Sequence, residues 1–457
     1  MRSLWYYKTM LRDIFTHFGY YGAINMLIDF TAENYRSIKE KATLSAIAQP
    51  GRKTELSENN FNRRQIKPDA EIAPVYPVPG RGFEILPVLG IFGANASGKS
   101  NVLLALDNLL GFMASESGDN LYGIKRFVPF RLDVSSSYQP TRFEIRITIR
   151  GIIYTYSLWL RKARILLERL EYLPEAPKRS RLLFERQWND QEQEFVWKNG
   201  DDFAGPHTQL EAQVQETEPF LGLIVMRLKI PVIQPLTNWL RDKWPGVSLG
   251  YEPSDKEIAT WISHHSEESL AAVSNLIRQF DTGIASLNIT KHEDDLERTL
   301  LGEYQVFAVH NTHGQRVSWK LEEESTGTQR LFSLAAKMLD AFQRGTTMLV
   351  DELGSNIHPN ITREIVKMFQ SSKTNPKRAQ LIFTSHDNTL QQRNLLRRDQ
   401  IWFTAKKDDG STELYPLTDF KPRNDLAVDK AYLDGRFGAV PMLPEEEELM
   451  PTLERTR

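Results

Sequence analysis

The segment from Gly93 to Ser100 matches the pattern Gly-x4-Gly-Lys-Ser/Thr, which is typical of loops that hold the phosphates of a nucleotide. An apolar run from Ile85 to Phe92 precedes it and predicts a buried strand, and apolar residues at helical spacing follow it. Backbone N–H groups of such a loop, together with the positive end of the next helix, bind the phosphates. We expect Lys99 to reach the β- and γ-phosphate oxygens and Ser100 to bind Mg²⁺. The predicted nucleotide contacts are Gly93, Asn95, Ala96, Ser97, Gly98, Lys99, Ser100 and Asn101.

A second candidate group lies where the apolar run from Thr347 to Val350 ends in Asp351 and Glu352. Ligands bind at the carboxyl ends of the strands in open α/β sheets, so this run predicts a buried parallel strand that reaches the phosphate loop. Asp351 would then hold the Mg²⁺ shell, and Glu352 would orient and deprotonate the attacking water. For the dipeptide alone, an exposed Asp-Glu at a strand end is the simpler interpretation. The presence of the phosphate loop in the same chain favours the metal-binding and catalytic interpretation of Asp351 and Glu352.

A helix is predicted to begin between these two groups, after Glu324, and to end at Gly345. Its apolar face consists of Leu331, Leu334, Ala335, Met338, Leu339 and Phe342. Small and hydroxyl residues at a helix start make either an ordinary N-cap or an anion site. The anion site is favoured only by the order of the segments, in which a phosphate loop is followed by this helix start and then by the Asp-Glu strand.

The composition is that of a folded globular protein, with 40% hydrophobic and 25% charged residues among 457. Lys and Arg number 57 against 59 for Asp and Glu, so no global basic field would recruit nucleic acid, and any such contact would need a local patch. The absence of cysteine excludes disulfides, thiolate metal sites and a cysteine nucleophile. No apolar stretch approaches the roughly 20 residues of a membrane span. We therefore expect a cytoplasmic protein with no membrane partner.

The alternation of apolar residues predicts mainly antiparallel strands in the first half of the chain. A hairpin is expected between residues 26 and 45, a loop between 50 and 82, and a second hairpin that turns at Arg150-Gly151. Further strands of this meander are predicted at 165–173, 182–186 and 194–197, with a turn at Asn199-Gly200. After residue 280, strands are expected at 284–289 and 304–310.

The predicted fold class is α/β, with a mixed central sheet, an antiparallel β subdomain and a helical lid insertion. Residues 1–25 form an aromatic-rich N-terminal extension, for which a partner-binding or interfacial amphipathic helix is the alternative to a simple appendage. Residues 26–204 form the N-terminal lobe, and residues 205–300 form the helical lid or arm, broken by prolines. Residues 301–441 form the C-terminal lobe, and residues 442–457 form an acidic, solvated tail.

This order of segments resembles the ATP-binding-cassette (ABC) ATPases. The stretch Ser325-Thr326-Gly327-Thr328-Gln329 is similar to their signature sequence, although its second glycine is missing. The stretch from Gly354 to Pro359 resembles the dimer-contact loop, and His386, within Thr384-Ser385-His386-Asp387, resembles the switch histidine. The resemblance implies a head-to-tail homodimer or higher homo-oligomer. In it, Ser325, Thr326, Gly327 and Gln329 of one subunit would cover Mg²⁺-ATP held by the other, and His386 would sense the γ-phosphate.

The span from Met26 to about Pro441 is also similar to the SMC-like AAA ATPases of prokaryotic defence loci, the group that includes RloA- and AbiL-type proteins and, more distantly, the AriA subunit of PARIS. The residues that carry this resemblance are Asn34 to Ser37, Gly93 to Asn101, Val350 to Glu352, Phe383 to Asp387, Leu396 to Phe403 and Tyr432 to Pro441. The glutamine that usually follows the first helix has no clear counterpart, and Phe127 to Arg131 is the segment where it is expected.

The resemblance implies an ATPase whose ATP-driven assembly senses an invader and controls a separate effector, often a TOPRIM-type nuclease. The catalytic residues implied are Lys99, Glu352 and His386. No other effector chemistry is visible, because the segment after His386 is too short for a TOPRIM domain and no Gly-x-Ser-x-Gly elbow or zinc-ligand cluster occurs. An Asn-Lys-x-Asp guanine-reading motif is also missing, which disfavours a GTPase.

The main alternative is an SMC-like genome-maintenance ATPase that clamps DNA when ATP closes it. This function predicts a basic surface, for which the candidates are Lys178, Arg179 and Arg181, Arg63-Arg64, and Arg393 with Arg397-Arg398. Solvated side chains are the simpler interpretation of each cluster. The motor subunit of a membrane transporter is a weaker alternative, because the insertion at 205–300 and the degenerate signature do not fit that compact cassette.

Overall fold

The protein is described here from a computed structural model. The structure describes residues 24–50, 74–115, 123–162, 164–176, 179–243, 267–280, 283–291, 304–312, 314–423 and 426–441. The aromatic extension before residue 24, the acidic tail after residue 441 and the Arg63-Arg64 pair lie outside the described residues, as does most of the loop predicted for 50–82.

A seven-stranded antiparallel sheet contains most of the first half of the chain, in the order β10-β9-β8-β7-β6-β1-β2. Its strands are β1 (Asn25–Glu33), β2 (Ala42–Ser45), β6 (Thr141–Ile149), β7 (Ile152–Arg161), β8 (Arg164–Leu173), β9 (Arg181–Asn189) and β10 (Glu194–Asn199). The predicted hairpins are confirmed, since Phe30 pairs with Leu44 and Ile149 pairs with Ile152. Arg150 and Gly151 between them both have positive φ, 52° and 81°, as a tight hairpin turn requires.

A five-stranded mixed sheet has the order β14-β15-β5-β16-β17. Its strands are β5 (Val88–Gly93), β14 (Thr347–Val350), β15 (Gln380–Ser385), β16 (Ile401–Lys406) and β17 (Thr412–Pro416). β14, β15, β5 and β16 run parallel, and β17 is antiparallel to β16. β15 therefore separates the strand of the phosphate loop from the strand that carries Asp351. This order was not predicted, because the sequence shows two strand ends converging but not which strand lies between them.

Two smaller sheets and eight α-helices complete the described part of the chain. The smaller sheets consist of β3 (Tyr76–Pro77) with β4 (Glu84–Ile85), and of β11 (Ser286–Lys291), β12 (Tyr304–Thr312) and β13 (Gln315–Lys320). The helices are α1 (Lys99–Met113), α2 (Thr208–Glu211), α3 (Phe220–Arg227), α4 (Gln234–Lys243), α5 (Glu267–Phe280), α6 (Thr326–Arg344), α7 (Pro359–Gln370) and α8 (Val428–Leu433).

The strand predicted from Ile85 to Phe92 is in fact two strands. Ile85 ends the short strand β4, and β5 begins at Val88, after Pro87. Proline has no N–H to donate to a sheet, so it is found at strand ends rather than inside a central strand. The loop predicted for 50–82 likewise contains the short strand β3.

β5 lies between two hydrophobic cores because successive side chains of a strand point to opposite faces. Leu89 and Ile91 belong to the core shared with the seven-stranded sheet and α1. Val88 and Phe92 belong to the core shared with α5, α6 and α7. All residues of β5 are buried, which explains why this strand has a continuous apolar sequence rather than an alternating one.

The part of the predicted insertion that the structure describes contains helices and one strand. α3 and α4 pack into the first core through buried side chains such as Leu221, Ile224 and Leu236. α5 packs into the second core through Val273 and Ile277. Of this insertion, residues 244–266, 281–282 and 292–300 lie outside the described part. A lid function of this segment and the division of the chain into domains stay predictions.

The predicted α/β fold class, with a mixed central sheet and antiparallel sheets, is confirmed. Within the described ranges no single helix is long and apolar enough to cross a membrane. Phe220–Arg227 and Pro231–Arg241 meet that criterion only as a pair, with a bend of 100° between them.

Gln380 joins the two large sheets. Its Nε2 donates to the carbonyl oxygens of Leu27 and Leu86, both at 3.1 Å, and its Oε1 accepts from the N–H of Leu27 at 3.0 Å and from Thr347 Oγ1 at 3.1 Å. The side chain is fully buried. Every polar group of this amide is satisfied, so its removal would leave several buried backbone groups unpaired.

We predict that Gln380→Leu lowers the free energy of unfolding by about 2–4 kcal/mol, because each buried group left without a partner costs about 1–3 kcal/mol. Urea denaturation would measure this change. The matched control is Gln315→Leu in β13, whose side chain is exposed and which should change stability by no more than about 0.5 kcal/mol. Equal stabilities of the two variants would show that Gln380 does not join the sheets.

Candidate functional site

The phosphate loop lies between the end of β5 at Gly93 and the start of α1 at Lys99. Gly98 is the N-cap of α1, has a left-handed conformation and provides no side-chain cap. The first N–H groups of a helix have no partner inside the helix. Because no side chain caps them here, they are suited to bind an anion.

Lys99 is buried at the base of this loop. Its ammonium group donates to the carbonyl oxygens of Gly93 and Ala94, both at 2.9 Å. Burial lowers the pKa of Lys99 to about 8, although the negative charges of Asp351 and Glu352 raise it in part. A bound phosphate would stabilise the charged form of Lys99 and would therefore raise this pKa.

Two strands hold the phosphate loop from the side opposite α1. Ser97 Oγ lies 2.6 Å from Thr404 Oγ1 in β16, and Thr412 Oγ1 in β17 donates to the Ser97 carbonyl at 2.9 Å. Thr412 Oγ1 also lies 2.8 Å from Ser37 Oγ, which accepts from Asn101 Nδ2 at 2.7 Å. These contacts join the loop to the turn that follows β1. No pattern in the sequence indicated Thr404 or Thr412, because isolated threonines in strands are common.

A cavity of about 460 Å³ lies beside Ala96 and Asn101 of the loop. Its apolar wall includes Val128, Pro129 and Phe130. Three exposed cations, Arg36, Arg131 and Lys406, also line it. An apolar wall with cationic groups next to a phosphate loop is suited to the base and sugar of a nucleotide. Phe127 to Arg131, where the glutamine was expected, borders this cavity but contains no glutamine.

Asp351 lies where the two motifs meet. Its Oδ1 accepts from Ser100 Oγ at 3.1 Å and from Thr384 Oγ1 at 2.5 Å. The structure thus brings the predicted metal residues Ser100 and Asp351 into direct contact. Glu352 follows at the rim, with an exposed side chain and a φ of 52°, which is rare for a residue other than glycine.

His386 follows the end of β15 and is exposed. Partial burial and the positive charge of Lys99 lower its pKa, while Glu352 and Asp351 raise it in part. The imidazole is therefore neutral at pH 7. These electrostatic effects place His386 near Lys99 and both carboxylates. Its role as a γ-phosphate sensor stays a prediction.

The signature residues lie at the N-terminus of α6. Ser325 is the N-cap, and its Oγ accepts from the N–H of Thr328 at 3.1 Å. Gln329 Nε2 turns back to the carbonyl oxygens of Glu322 and Glu324. Ser325 and Thr326 are exposed, so they are accessible to a second subunit. Their contact with a nucleotide stays a prediction.

Gly327 packs against the dimer-contact loop of its own chain. A Cβ atom at this position would lie 2.5 Å from the Asn356 carbonyl oxygen. From the next turn of α6, Arg330 Nη2 donates to the carbonyl oxygens of Asp351 and Glu352 at 3.1 and 2.9 Å. Helix α6 is therefore connected to the Asp351-Glu352 strand end within one chain. Sequence analysis missed Arg330, which directly follows the signature stretch, and the hydroxyl of Thr384, which precedes His386 in its motif.

The oxygen donors of this site fit a magnesium ion that is brought in with a phosphate. Ser100 supplies a hydroxyl and Asp351 a carboxylate, and Mg²⁺ in nucleotide sites is typically bound by one or two protein oxygens together with phosphates and waters. Among the residues that the structure describes, no cluster of three or more His, Cys, Asp or Glu could hold a metal alone. The site therefore suits Mg²⁺-nucleotide rather than a free ion.

Comparison with protein families gives a match over residues 88–390, which is more than half of the chain, to the family described as "AAA domain, putative AbiEii toxin, Type IV TA system". The chain belongs to this family. The matched range contains the phosphate loop, the signature residues, Asp351, Glu352 and His386, and it ends just after the switch segment. The narrower resemblance to RloA-, AbiL- and AriA-type proteins stays a prediction. A comparison with curated proteins found no match.

Among solved structures, this AAA-family chain is similar to SMC head domains. The Thermotoga maritima SMC head domain is 14% identical, with a TM-score of 0.37, and the match covers 85% of this chain and 98% of that one. The Pyrococcus furiosus Smc head domain, solved bound to the C-terminal domain of ScpA, is 11% identical, with a TM-score of 0.38 and coverage of 90% and 99%. Scores this low carry no argument about activity or partners.

We predict that Gly98→Ala abolishes nucleotide binding, with at least a 100-fold loss of affinity for ATP. A Cβ atom there would lie 2.0 Å from Thr412 Oγ1, and φ is 103°. Gly82→Ala is the matched control, because Gly82 also has a positive φ, 73°, but has open space around it. Calorimetric titration would measure both variants. Retained affinity in Gly98→Ala would contradict the close packing of the loop.

We also predict that ATP-analogue binding takes up protons at about pH 9, because free Lys99 is then largely neutral and bound phosphate restores its charge. Affinity should fall as the pH rises above about 8. Titrations in buffers of different ionisation enthalpy would measure the uptake. At about pH 7 the lysine is charged before and after binding, so proton uptake by Lys99 should vanish; equal uptake at both pH values would refute this assignment.

Proposed function

We propose that this AAA-family protein binds ATP with Mg²⁺ and hydrolyses it to ADP and phosphate. The observation that carries the proposal is the 3.1 Å contact between Ser100 Oγ and Asp351 Oδ1. It joins the phosphate loop to the acidic strand end at the carboxyl edge of a mainly parallel sheet, which is where α/β proteins bind nucleotides.

Binding would use the uncapped N-terminus of α1 and the ammonium group of Lys99 for the phosphates. The cavity beside Ala96 and Asn101 would receive the base and sugar, and Arg36 would be close enough to its opening to add positive charge. The lowered pKa of Lys99 supports this assignment, since a buried lysine with two nearby carboxylates is poised for an anionic ligand.

Hydrolysis would require a base next to the metal site, and Glu352 is adjacent to Asp351 in the chain. Its exposed carboxylate could accept the proton of a water that attacks the γ-phosphate. Mg²⁺, held by Ser100 and Asp351, would neutralise charge on the phosphate oxygens. Neutral His386 could donate a hydrogen bond to the γ-phosphate without adding a competing charge.

A second copy of the chain would complete the site. Ser325 and Thr326 are exposed at a helix N-terminus, so they can approach phosphates that belong to another subunit. We propose that ATP holds two chains head to tail in this way, and that the assembled state controls a partner effector, such as a TOPRIM-type nuclease, in antiphage defence. The family description, which names an AbiEii toxin and a toxin–antitoxin system, supports the defence role.

The DNA-clamping alternative receives no specific support from the described basic residues. Arg181 pairs with Asp202 at 2.7 Å, and Arg397 pairs with Asp399 at 2.7 Å. Arg398 donates to the carbonyl oxygens of Pro422 and Arg423. These side chains have partners within the chain, which reduces their availability for phosphate contacts. This function and the cytoplasmic location stay predictions.

We predict that Glu352→Gln lowers kcat for ATP hydrolysis by about 10²–10⁴-fold and leaves ATP affinity unchanged, because the amide keeps the shape but cannot take a proton. With ATP the variant should accumulate as a dimer or larger assembly, measured by light scattering after size-exclusion chromatography.

Glu364→Gln, on the exposed side of α7, is the matched control and should behave as wild type. Lys99→Ala should remain unassembled, because it lacks the charge that holds the phosphates. Full turnover in Glu352→Gln would remove Glu352 as the base. Normal ATP affinity in Lys99→Ala would refute the proposed phosphate site.

A further inference from the structure

We propose that Thr384 is a positioning residue that holds both the metal-binding carboxylate of Asp351 and the backbone of the base Glu352. This inference rests on the proposed ATPase function and assigns a role to Thr384, a residue for which the resemblance implied none. It begins with the position of β15, which lies between β14 and β5 in the sheet.

Thr384 occupies the one strand that contacts both halves of the site. On one side it pairs with Ile91 of β5, two residues before the phosphate loop begins. On the other side, the last residue pair of β14 and β15 is Val350 with Phe383, so Thr384 stands opposite Asp351 where regular pairing ends. Just beyond this point the Glu352 N–H donates to the side chain of Thr384.

The hydroxyl group of Thr384 donates one hydrogen bond and accepts another. It donates its only proton to Asp351 Oδ1 at 2.5 Å, and its oxygen accepts from the Glu352 N–H at 2.8 Å. Thr384 is fully buried, so no water competes for this proton. A threonine hydroxyl has one proton to donate and lone pairs with which to accept. Here the proton is donated to the Asp351 carboxylate and a lone pair accepts from the Glu352 N–H. One oxygen atom therefore fixes both the orientation of the Asp351 side chain and the backbone of Glu352.

The conformation of Glu352 explains why such a support is needed. Its φ of 52° is unfavourable for a residue with a side chain and requires anchoring from the surrounding structure. The Leu353 N–H donates to the Thr384 carbonyl at 2.8 Å, and Ser385 Oγ donates to the Leu353 carbonyl at 2.7 Å. Arg330 from α6 donates to the backbone carbonyl oxygens of Asp351 and Glu352. Among these supporting contacts, the one from the Thr384 hydroxyl reaches the side-chain carboxylate of Asp351.

A purely structural role of the Thr384 hydroxyl and a positioning role lead to different expected results when the hydroxyl is removed. Loss of a purely structural bond lowers stability and leaves the dependence on Mg²⁺ unchanged. Loss of the hydrogen bond to Asp351 also lowers the affinity for the metal, because residues that hydrogen-bond to a metal ligand typically contribute about 10–100-fold to metal affinity or activity. The Mg²⁺ dependence of nucleotide binding therefore separates the two roles.

The test compares Thr384→Val, which keeps the shape but removes the hydroxyl, with Thr384→Ser, which keeps the hydroxyl. Binding of a non-hydrolysable ATP analogue is titrated with Mg²⁺ and with EDTA. In Thr384→Val we expect the Mg²⁺-dependent gain in affinity to fall by about 10-fold or more, with affinity in EDTA unchanged. The kcat for ATP should fall by about 10–100-fold. Thr384→Ser should stay within about 3-fold of wild type in both measurements.

Thr148→Val is the matched control, because Thr148 is a fully buried threonine in β6 whose hydroxyl has no partner within the described part of the chain. It should leave the Mg²⁺ dependence unchanged. If Thr384→Val does not fold, Thr384→Cys replaces it, since a thiol has similar volume but donates weakly.

An unchanged Mg²⁺ dependence in a folded Thr384 variant without the hydroxyl would overturn the inference. Mg²⁺-dependent hydrolysis by the wild-type chain would in that case leave the proposed function intact. Conversely, a wild-type chain that neither binds nor hydrolyses ATP would refute the function itself, whatever the Thr384 variants do.

Discussion

The contact between Ser100 and Asp351 is the constraint on which the candidate site depends. The two residues are far apart in the chain, and they meet because β5 and β14 run parallel in one sheet and end at the same edge. A shift in the pairing register of β15, the strand between β5 and β14, would move the Ser100 hydroxyl away from the Asp351 carboxylate. The burial of β5 on both faces opposes such a slip, because a shift by one residue would exchange the side chains that its two cores receive.

The same edge holds several residues in unusual backbone conformations. Ala96, Glu352 and Asn356 have positive φ, as does the glycine that begins α1. The conformations of the three non-glycine residues are unfavourable alone and require support from neighbouring elements. Here the support comes from β15, from α6 and from the β16–β17 hairpin. These elements surround the phosphate loop and the two carboxylates, whereas Ser325 and Thr326 are exposed.

The two cores are coupled through a few polar contacts as well as through β5. Gln380 connects β15 to β1 and to the segment before β5, and Ser37 connects the turn after β1 to the phosphate loop. A nucleotide in this pocket would therefore touch both halves of the chain, because the turn after β1 contributes Arg36 to the lining and β16 of the mixed sheet contributes Lys406.

The sequence by itself determined the phosphate loop, the Asp-Glu strand end, the helix from Thr326 to Arg344 and the hairpins, because each depends on local spacing: glycines at fixed offsets, apolar periodicity, caps and turns. It also indicated an AAA-type family, and the comparison confirmed the AAA domain but not the narrower grouping. The tertiary structure alone decided that β15 separates the strand of the phosphate loop from the strand that ends at Asp351, that Pro87 divides the predicted strand, and that Thr384, Thr412 and Arg330 support the candidate site. The physical reason is that these contacts join residues distant in sequence, and a lone hydroxyl or guanidinium carries no local pattern that reveals its partner.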